Sequence, residues 1–237
     1  MPFRLVEAPS PNHDARSDGA AIDMLVLHYT GMKTAGEALA RLTDPAAKVS
    51  AHYTIDTDGT VYRHVPEERR AWHAGASYWA GEANVNGRSI GIELINPGHE
   101  FGYVPFADDQ IAALIDLCRD ILVRHPIPAR YVLGHSDVAP ARKTDPGELF
   151  PWPRLAEFGT GIWPALSSPV HGGGGAKAPE GAAFAANLAR FGYGVPPDVE
   201  VPLEAVVAAF QRHFRPSCID GVADGECAAI LESLLAT

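Results

Sequence analysis

The chain has 237 residues, of which 46% are hydrophobic and 20% charged, and a formal net charge of −10. That length supports one good core in one or two domains, and the composition is that of an ordinary globular protein. The negative charge argues against a nucleic-acid binder and against adhesion to anionic membranes, because phosphate groups select basic surfaces.

The first residues and the cysteines point to an ordinary cytoplasmic chain. Residues 1–14 have no apolar run of signal-peptide length, and no 18-residue apolar stretch could span a membrane. Three cysteines are too few for a disulfide framework or a cysteine-rich zinc site. Cys118 and Cys227 fall on apolar helix positions typical of core residues, while a Cys218–Cys227 bridge stays open.

The first predicted elements are a buried strand and a capped helix. Residues 24–28 form a short apolar run, which is typical of a strand buried on both faces. Thr34 and Glu37 have the spacing of a capping box, and the apolar residues that follow recur with helical period. Pro45 ends this helix.

The next elements complete an α/β pattern. Residues 49–55 and 61–65 flank an Asp-Thr-Asp-Gly turn and predict a β-hairpin. Residues 89–95 and 131–135 predict two more strands, and 108–124 carries the clearest amphipathic helix of the chain. We therefore predict a mixed central sheet flanked by helices.

A boundary follows near residue 167. Residues 167–181 are rich in glycine, proline and alanine and predict a flexible linker, whereas 182–237 predict a small three-helix domain. Such a small bundle buries little surface by itself. Its helices are marked by three apolar stripes: Phe184, Leu188 and Phe191; Leu203, Val206, Val207, Phe210 and Phe214; Cys227, Ile230, Leu231 and Leu234.

Two histidines and one aspartate form a candidate metal site. His28 and His135 each end a predicted strand, and functional groups gather at the carboxyl ends of strands in α/β sheets. Asp145 follows through a loop long enough to double back to the same edge. Two imidazoles and one carboxylate are a set that catalytic zinc uses when it keeps a position for water.

An acid–base pair accompanies these ligands. Glu93 lies within a predicted strand, on the face opposite its apolar residues, where an unpaired carboxylate is costly. Lys143 is two residues from Asp145, so in an extended segment its ammonium group would lie beside the metal. Taken singly, each of these residues has a structural interpretation; their joint occurrence favours an enzyme.

Other hydrolase signatures are missing from the sequence. No H-E-x-x-H zinc motif and no G-x-S-x-G nucleophile elbow occurs. His135, Ser136 and Asp137 are sequence neighbours whose side chains cannot converge as a catalytic triad.

The motifs resemble the amidase-2 family of zinc-dependent N-acetylmuramoyl-L-alanine amidases, in its AmpD/AmiD branch. The resemblance covers nearly all of residues 1–165. It is carried by SPNHDAR (10–16), LVLHYTG (25–31), VSAHYTIDTDGTVYRHVPEERRAWHAG (49–75), SIGIELINPG (89–98) and GHSDVAPARKTDPG (134–147).

The resemblance implies a role for each site residue. His28, His135 and Asp145 would hold Zn²⁺, Glu93 would act as the catalytic acid and base, and Lys143 would stabilise the transition state. The implied reaction is hydrolysis of the amide between N-acetylmuramic acid and L-alanine, in peptidoglycan or (anhydro)muropeptides, during wall turnover and recycling. The implied fold is that of T7-type lysozymes and peptidoglycan recognition proteins, with residues 1–166 as the catalytic domain.

Two positions depart from the T7-type members that this family resembles. Ala51 stands where those enzymes place a catalytic tyrosine, so the Glu93 version of the chemistry applies. Asp145 replaces their cysteine ligand.

Substrate contacts are expected around the site at Trp72, His73, Trp79, Asn84 and Asn96. Aromatic faces suit sugar rings and a peptide stem, although Trp72 is equally suited to a hydrophobic prop. The oligomeric state stays open, with a monomer as the default expectation.

The tail, residues 182–237, resembles a peptidoglycan-binding three-helix domain through FAANLARFGYGV, VVAAFQRHF and IDGVADGECAAIL. The alternative is a helical appendage that only packs against the first domain. Two other hypotheses for the function of the whole chain also stay open. One is a recognition module that binds peptidoglycan without cutting it, and the other is a phage or secreted lysin with the same chemistry.

Overall fold

The computed structural model describes residues 3–17, 19–165 and 181–237. Its strands are β1 (Leu5–Glu7), β2 (His13–Ala15), β3 (Met24–Tyr29), β4 (Tyr53–Ile55), β5 (Val61–Arg63), β6 (Arg69–Ala71), β7 (Ser89–Leu94) and β8 (Val132–Gly134). Its α-helices are α1 (Ala35–Thr43), α2 (Val85–Arg88), α3 (Gly98–Phe101), α4 (Asp108–Arg124), α5 (His135–Val138), α6 (Trp152–Glu157), α7 (Gly181–Phe191), α8 (Leu203–Phe214) and α9 (Gly225–Leu235).

The predicted mixed sheet is confirmed. Six strands pair in the order β1-β5-β4-β7-β3-β8, and a separate antiparallel ribbon joins β2 to β6. Only the predicted hairpin pair β4–β5 is antiparallel in the large sheet. The two longest strands, β3 and β7, lie side by side at its centre.

Local sequence explains the first helix. The capping box is present: Thr34 Oγ1 accepts from the Glu37 backbone N–H at 3.2 Å, and a Glu37 carboxylate oxygen accepts from the Thr34 N–H at 3.2 Å. These two bonds satisfy donors that the first helical turn leaves unpaired.

The central strands divide their side chains between two cores. Leu25 and Leu27 of β3, with Ile90, Ile92 and Leu94 of β7, pack against the apolar face of α4. The alternate residues of β3, Met24 and Val26, point to the other side of the sheet. His28 continues that second series, because strand side chains alternate with period two.

The tail covers this second side. All three predicted tail helices are present, and their apolar stripes share one continuous core with Met24, Val26 and Leu133 of the first domain. The tail therefore does not rely on its own small core. The predicted linker, apart from Gly181 at the start of α7, lies outside the described residues.

The cysteines are free thiols, with Cys118 and Cys227 buried as predicted and Cys218 exposed. The bridge between Cys218 and Cys227 that the sequence left open is not formed. In the parts of the chain that the structure describes, no helix combines the length and apolarity needed to cross a bilayer.

Candidate metal centre

The predicted ligands meet at one edge of the sheet. Strands β3 and β8 pair in parallel with Leu27 opposite Gly134, so the residues that follow them, His28 and His135, come together. Their Nδ1 atoms are 2.9 Å apart, and Asp145 Oδ2 lies 3.1 Å from His28 Nδ1 and 3.0 Å from His135 Nδ1. All three residues are buried, with at most 6% of their surface exposed.

A compact loop returns Asp145 to this edge. His135 is not the last residue of a strand, as predicted, but the first residue of the short turn α5. Its carbonyl accepts from the Ala139 N–H, the Ala139 carbonyl accepts from the Lys143 N–H, and the Ser136 N–H donates to the Asp145 carbonyl. The last bond fixes the second ligand loop directly to the first.

A chain of hydrogen bonds sets the tautomer of His28. Ser89 Oγ donates its proton to the Val85 carbonyl at 2.6 Å, so it must accept from His73 Nε2 at 3.2 Å. His73 Nδ1 is then an acceptor, and His28 Nε2–H donates a hydrogen bond to it at 3.0 Å. The Nδ1 atom of His28 is left with its lone pair facing the other two ligands. The Val85–Ser89–His73–His28 relay thus orients the His28 ring toward the other two ligands.

His135 is oriented in the same sense by a different partner. Its Nε2–H donates to the Ala74 carbonyl at 3.0 Å, so in the neutral form of the ring Nδ1 carries no proton. Two lone pairs and a carboxylate oxygen therefore converge within 3.1 Å of one another. Such a group of acceptors requires a positive charge among them, and a divalent cation with nitrogen and oxygen ligands fits the set.

Electrostatics keep these groups ready for a metal. Burial and the neighbouring His135 lower the pKa of His28 to about 4, so its imidazole is neutral at pH 7. Burial would raise the pKa of Asp145, but a proton on the His135 or His28 ring beside it holds that pKa well below its usual range, and a bound cation would take the place of that proton. Neutral imidazoles and an ionised carboxylate are the forms that bind metal ions.

Glu93 lies beside the metal ligands. It occupies the position on β7 that pairs with His28 on β3, and its side chain points to the same face of the sheet. Burial first, and then the charge of Asp145, raise the pKa of Glu93 to about 8. Within the described ranges its buried Oε2 atom has no hydrogen-bond partner, and Glu93 lies beside a small cavity that Thr30 and Val49 also line. A carboxyl group with a raised pKa and one unpaired oxygen is suited to exchanging protons with a ligand.

Lys143 adds a positive charge near the metal ligands. Its side chain is half-buried, and it lies near enough to lower the pKa values of both Glu93 and His28. Among the described residues no carboxylate forms an ion pair with Lys143. Its ammonium group is thus free to face a developing negative charge.

Two of the predicted substrate contacts are enclosed by protein. His73 is 6% exposed and its two ring nitrogens are used by His28 and Ser89. Trp79 is fully buried and packs edge-to-face on Tyr193 of the tail, with ring centroids 4.9 Å apart. These positions suit a supporting residue and a packing residue, not the substrate contacts expected from the sequence.

The other three predicted contacts differ in exposure. Asn96 is 2% exposed, and its amide bonds to the Val104 carbonyl and the Gly98 N–H. Asn84 is exposed and caps α2 by accepting from the Gly87 N–H. Trp72 is half-buried. Only Asn84 and Trp72 of the five keep surface that a ligand could reach in this arrangement.

Sequence reasoning missed a polar and aromatic network at the rim. Tyr29 follows His28, and its hydroxyl bonds to His99 Nδ1 at 2.9 Å and to the Thr144 hydroxyl at 3.1 Å. Tyr103 stacks on His99 and donates to the Pro146 carbonyl at 2.6 Å. The network holds both flanks of Asp145. Its only sequence signal is the tyrosine that directly follows a predicted ligand.

Comparison with known proteins places this geometry in context. Residues 18–148 match the Amidase_2 family, described as N-acetylmuramoyl-L-alanine amidase. The chain is 41% identical to N-acetylmuramoyl-L-alanine amidase AmiD of Escherichia coli, over 98% of this chain and 90% of that protein. The solved complex of E. coli AmiD with anhydro-N-acetylmuramic acid-L-Ala-D-gamma-Glu-L-Lys superposes with a TM-score of 0.82 at 40% identity, covering 93% of this chain and 92% of that one.

Two further relatives differ in how much of the chain they match. AmpDh3 of Pseudomonas aeruginosa has a TM-score of 0.79 at 35% identity and covers 92% of this chain and 93% of its own. The 1,6-anhydro-N-acetylmuramyl-L-alanine amidase AmpD of E. coli is 36% identical over 62% of this chain and 87% of its own length.

Proposed function

Because this chain belongs to the Amidase_2 family of N-acetylmuramoyl-L-alanine amidases, we propose that it hydrolyses the amide between N-acetylmuramic acid and L-alanine at a zinc centre held by His28, His135 and Asp145. One observation carries this proposal: the three ligand atoms lie within 3.1 Å of one another, with both imidazole lone pairs turned inward. Glu93 stands beside them on the neighbouring strand.

The donor set supports zinc as the metal. Two imidazole nitrogens and one carboxylate oxygen suit a borderline cation that accepts three protein ligands and keeps one open position. When bound, the ion would polarise the scissile carbonyl and lower the pKa of a water molecule. The remaining steps fall to the chain's own residues.

Glu93 moves the protons. In its ionised form, Glu93 takes one proton from the attacking water, whose oxygen forms a bond to the lactyl carbonyl carbon. The carbon–nitrogen bond then breaks, and Glu93 gives that proton to the leaving amine of L-alanine. Proton transfer at both ends of the reaction requires a group whose pKa lies near the working pH, and burial brings the pKa of Glu93 to about 8.

Lys143 stabilises charge during this sequence. The attack places negative charge on the carbonyl oxygen, and a preorganised cation facing that oxygen lowers the barrier. Loss of one such donor typically costs about 3–4 kcal/mol. The free ammonium group beside Glu93 and His28 suits this role.

The substrate class we propose is peptidoglycan and its muropeptide fragments, in wall turnover and recycling. Its support is the likeness to AmiD, solved with an anhydro-muramyl tripeptide, and to AmpDh3, solved with an anhydromuramic pentapeptide. A cytoplasmic location and a monomeric state stay predictions, which cell fractionation and size-exclusion chromatography would test.

A non-catalytic recognition module is the alternative. Such a module would need no metal ligands and no proton donor, whereas this site keeps the three ligands, Glu93 and Lys143 together. AmiD and AmpD of E. coli, both above 30% identity to this chain, are amidases by name. We therefore favour the enzyme.

For the tail we propose binding to polymeric peptidoglycan. Its support is the sequence resemblance together with a set of contacts between two of the resembling segments, VVAAFQRHF and IDGVADGECAAIL. The Gln211 amide of the first segment donates to Asp220 and to the Val222 carbonyl of the second, and accepts from the Gly221 N–H. Co-sedimentation of the inactive Glu93→Gln chain with insoluble sacculi tests this role. No enrichment in the pellet would leave the tail as a packing element.

Product analysis by mass spectrometry tests the reaction. Purified protein is incubated with an anhydro-muropeptide and with intact sacculi, each with and without chelator. We expect free stem peptide with an L-alanine amino terminus and the matching muramic acid product, and neither with chelator. Cleavage of a different bond, or none with zinc supplied, would overturn the proposal.

A further inference from the structure

Asp137 is a buried carboxylate outside the metal-ligand set, and the mechanism does not use it. It lies in α5, two residues after the ligand His135, and no part of it is exposed. A carboxylate buried this completely must have its charge satisfied by hydrogen bonds.

Two of its three donors come from the tail. The Tyr193 hydroxyl donates to Asp137 Oδ1 at 2.6 Å, and His213 Nδ1 donates to Asp137 Oδ2 at 2.7 Å. The third donor is the backbone N–H of Gly134, also at 2.7 Å to Oδ2. Tyr193 and His213 are themselves 1% and 3% exposed, and the His213 ring stacks on Trp152 with centroids 3.7 Å apart.

The third donor links Asp137 to the metal site. Gly134 is the last residue of β8, and its bond to Asp137 closes the turn that begins with His135. The same turn also binds the loop that carries the ligand Asp145, since the Ser136 N–H donates to the Asp145 carbonyl at 2.9 Å. One small turn thus fixes two of the three ligands, and its central carboxylate is held by the tail.

We propose that Tyr193 and His213 are positioning residues for the metal centre, acting through Asp137 on the turn that carries His135. The tail is then part of the metal-binding unit, whatever it binds on its outer surface. This inference rests on the proposed zinc site. Residues that orient metal ligands without touching the metal typically change metal affinity 10–100-fold when they are replaced.

Zinc affinity of the full-length protein tests the inference. The dissociation constant is measured by competition with a chromophoric chelator, and the visible absorption of the Co²⁺-loaded protein reports ligand geometry. The variants are Tyr193→Phe and His213→Leu, which each remove one donor to Asp137. His213→Asn restores a nitrogen donor near the Nδ1 position. Leu188→Ala is the matched control, because Leu188 lies fully buried in the tail core and is not among the donors to Asp137.

We expect Tyr193→Phe and His213→Leu to weaken zinc binding about tenfold or more and to alter the Co²⁺ spectrum. His213→Asn should recover most of the affinity. Leu188→Ala should lower the unfolding temperature and leave zinc affinity unchanged. Wild-type affinity and spectrum in Tyr193→Phe and His213→Leu, or an equal loss in Leu188→Ala, would overturn the inference. Absence of zinc binding in the wild type would instead overturn the proposed function.

Discussion

His28 and Glu93 occupy directly paired positions on two neighbouring parallel strands. Registered residues of adjacent strands project their side chains to the same face of a sheet, so the pairing alone brings a metal ligand and a proton carrier together. The same face holds Gly91, whose lack of a side chain leaves room for His73 behind His28. Strand register thus sets Glu93 beside His28, whereas the turn α5 and the loop after it bring in His135 and Asp145.

Replacing Glu93 by glutamine should lower the activity of the protein and raise its stability at neutral pH. The variant keeps the shape of the side chain and should keep zinc, but turnover should fall about 10²–10⁴-fold because the proton carrier is gone. The wild-type carboxyl, with its pKa raised to about 8, stays neutral in the native protein at pH 7 while it ionises in the unfolded chain. The contribution of Glu93 to wild-type stability therefore falls as pH rises from about 4.5 to 8.

Glutamine has no such ionisation. The metal-free Glu93→Gln protein should be more stable than the metal-free wild type by up to about 3 kcal/mol at pH 7, and by little at pH 4. Urea unfolding of both proteins at the two pH values measures this difference. Equal stability at pH 7 would show that Glu93 is not held neutral, and undiminished turnover would show that it has been misassigned.

The second prediction concerns Ser89, which the relay makes the acceptor for His73 Nε2–H. Ser89→Ala frees His73 to carry its proton on Nδ1, and that proton would face the one on His28 Nε2. His28 would then be driven to protonate Nδ1, in competition with the metal. We expect zinc affinity to fall about 10–100-fold, as measured by chelator competition.

Ser50→Ala is the control for this variant. Ser50 is also fully buried and hydrogen-bonded, to the Asn12 carbonyl and the Trp72 N–H, but it takes no part in the relay. Similar zinc affinity in the two variants would show that the Val85–Ser89–His73–His28 relay does not support metal binding.

Gly91 gives a third prediction. A methyl group at this position would lie 2.4 Å from the His73 ring, closer than any real contact. Gly91→Ala should displace His73 and weaken zinc binding, with a loss of folding stability of the kind that overpacking causes, about 1–3 kcal/mol. Zinc titration followed by thermal unfolding checks both effects; unchanged zinc affinity would mean that His73 does not support His28.

His52 predicts a loss of stability in acid. It is fully buried, and burial together with the charge of Arg16 lowers its pKa to about 3. The unfolded imidazole takes up a proton below about pH 6.5 while the native one stays neutral, so the contribution of His52 to the free energy of unfolding falls as pH falls through that window. Between pH 7 and pH 5, protonation of His52 in the unfolded chain lowers the free energy of unfolding by about 2 kcal/mol.

Urea unfolding at the two pH values, for the wild type and His52→Gln, measures this contribution. The variant is expected to be less stable at pH 7, because His52 accepts from the Gly91 N–H, but also less sensitive to acid. The same pH dependence in both proteins would assign the acid loss to other groups.

Long periodic segments were predictable from the sequence. The α4 helix has the predicted limits, and the capping box at Thr34 begins α1 as expected. The strand-end rule placed His28 within one residue of the end of β3, which continues to Tyr29. These features depend on local propensity and hydrophobic period, which a single sequence contains.

Short elements were not predictable, because contacts distant in sequence stabilise them. Strands β1, β2 and β6 have three residues each, and the turn α5 has four, too few for a period to show. His73 depends on partners 45 and 16 positions away along the chain. In the sequence, a packing tryptophan such as Trp79 cannot be told from one that contacts a sugar. The contact between Trp79 and Tyr193 of the tail shows that it is a packing residue.

Activity of metal-stripped protein during a zinc titration tests the central claim most directly. We predict no cleavage of anhydro-muropeptide before zinc is added, a linear rise to one equivalent per chain, and a plateau thereafter. Asp145→Ala should show neither the rise nor tight zinc binding. Full activity in the stripped protein, or a wild-type titration curve in Asp145→Ala, would contradict a zinc amidase centred on His28, His135 and Asp145.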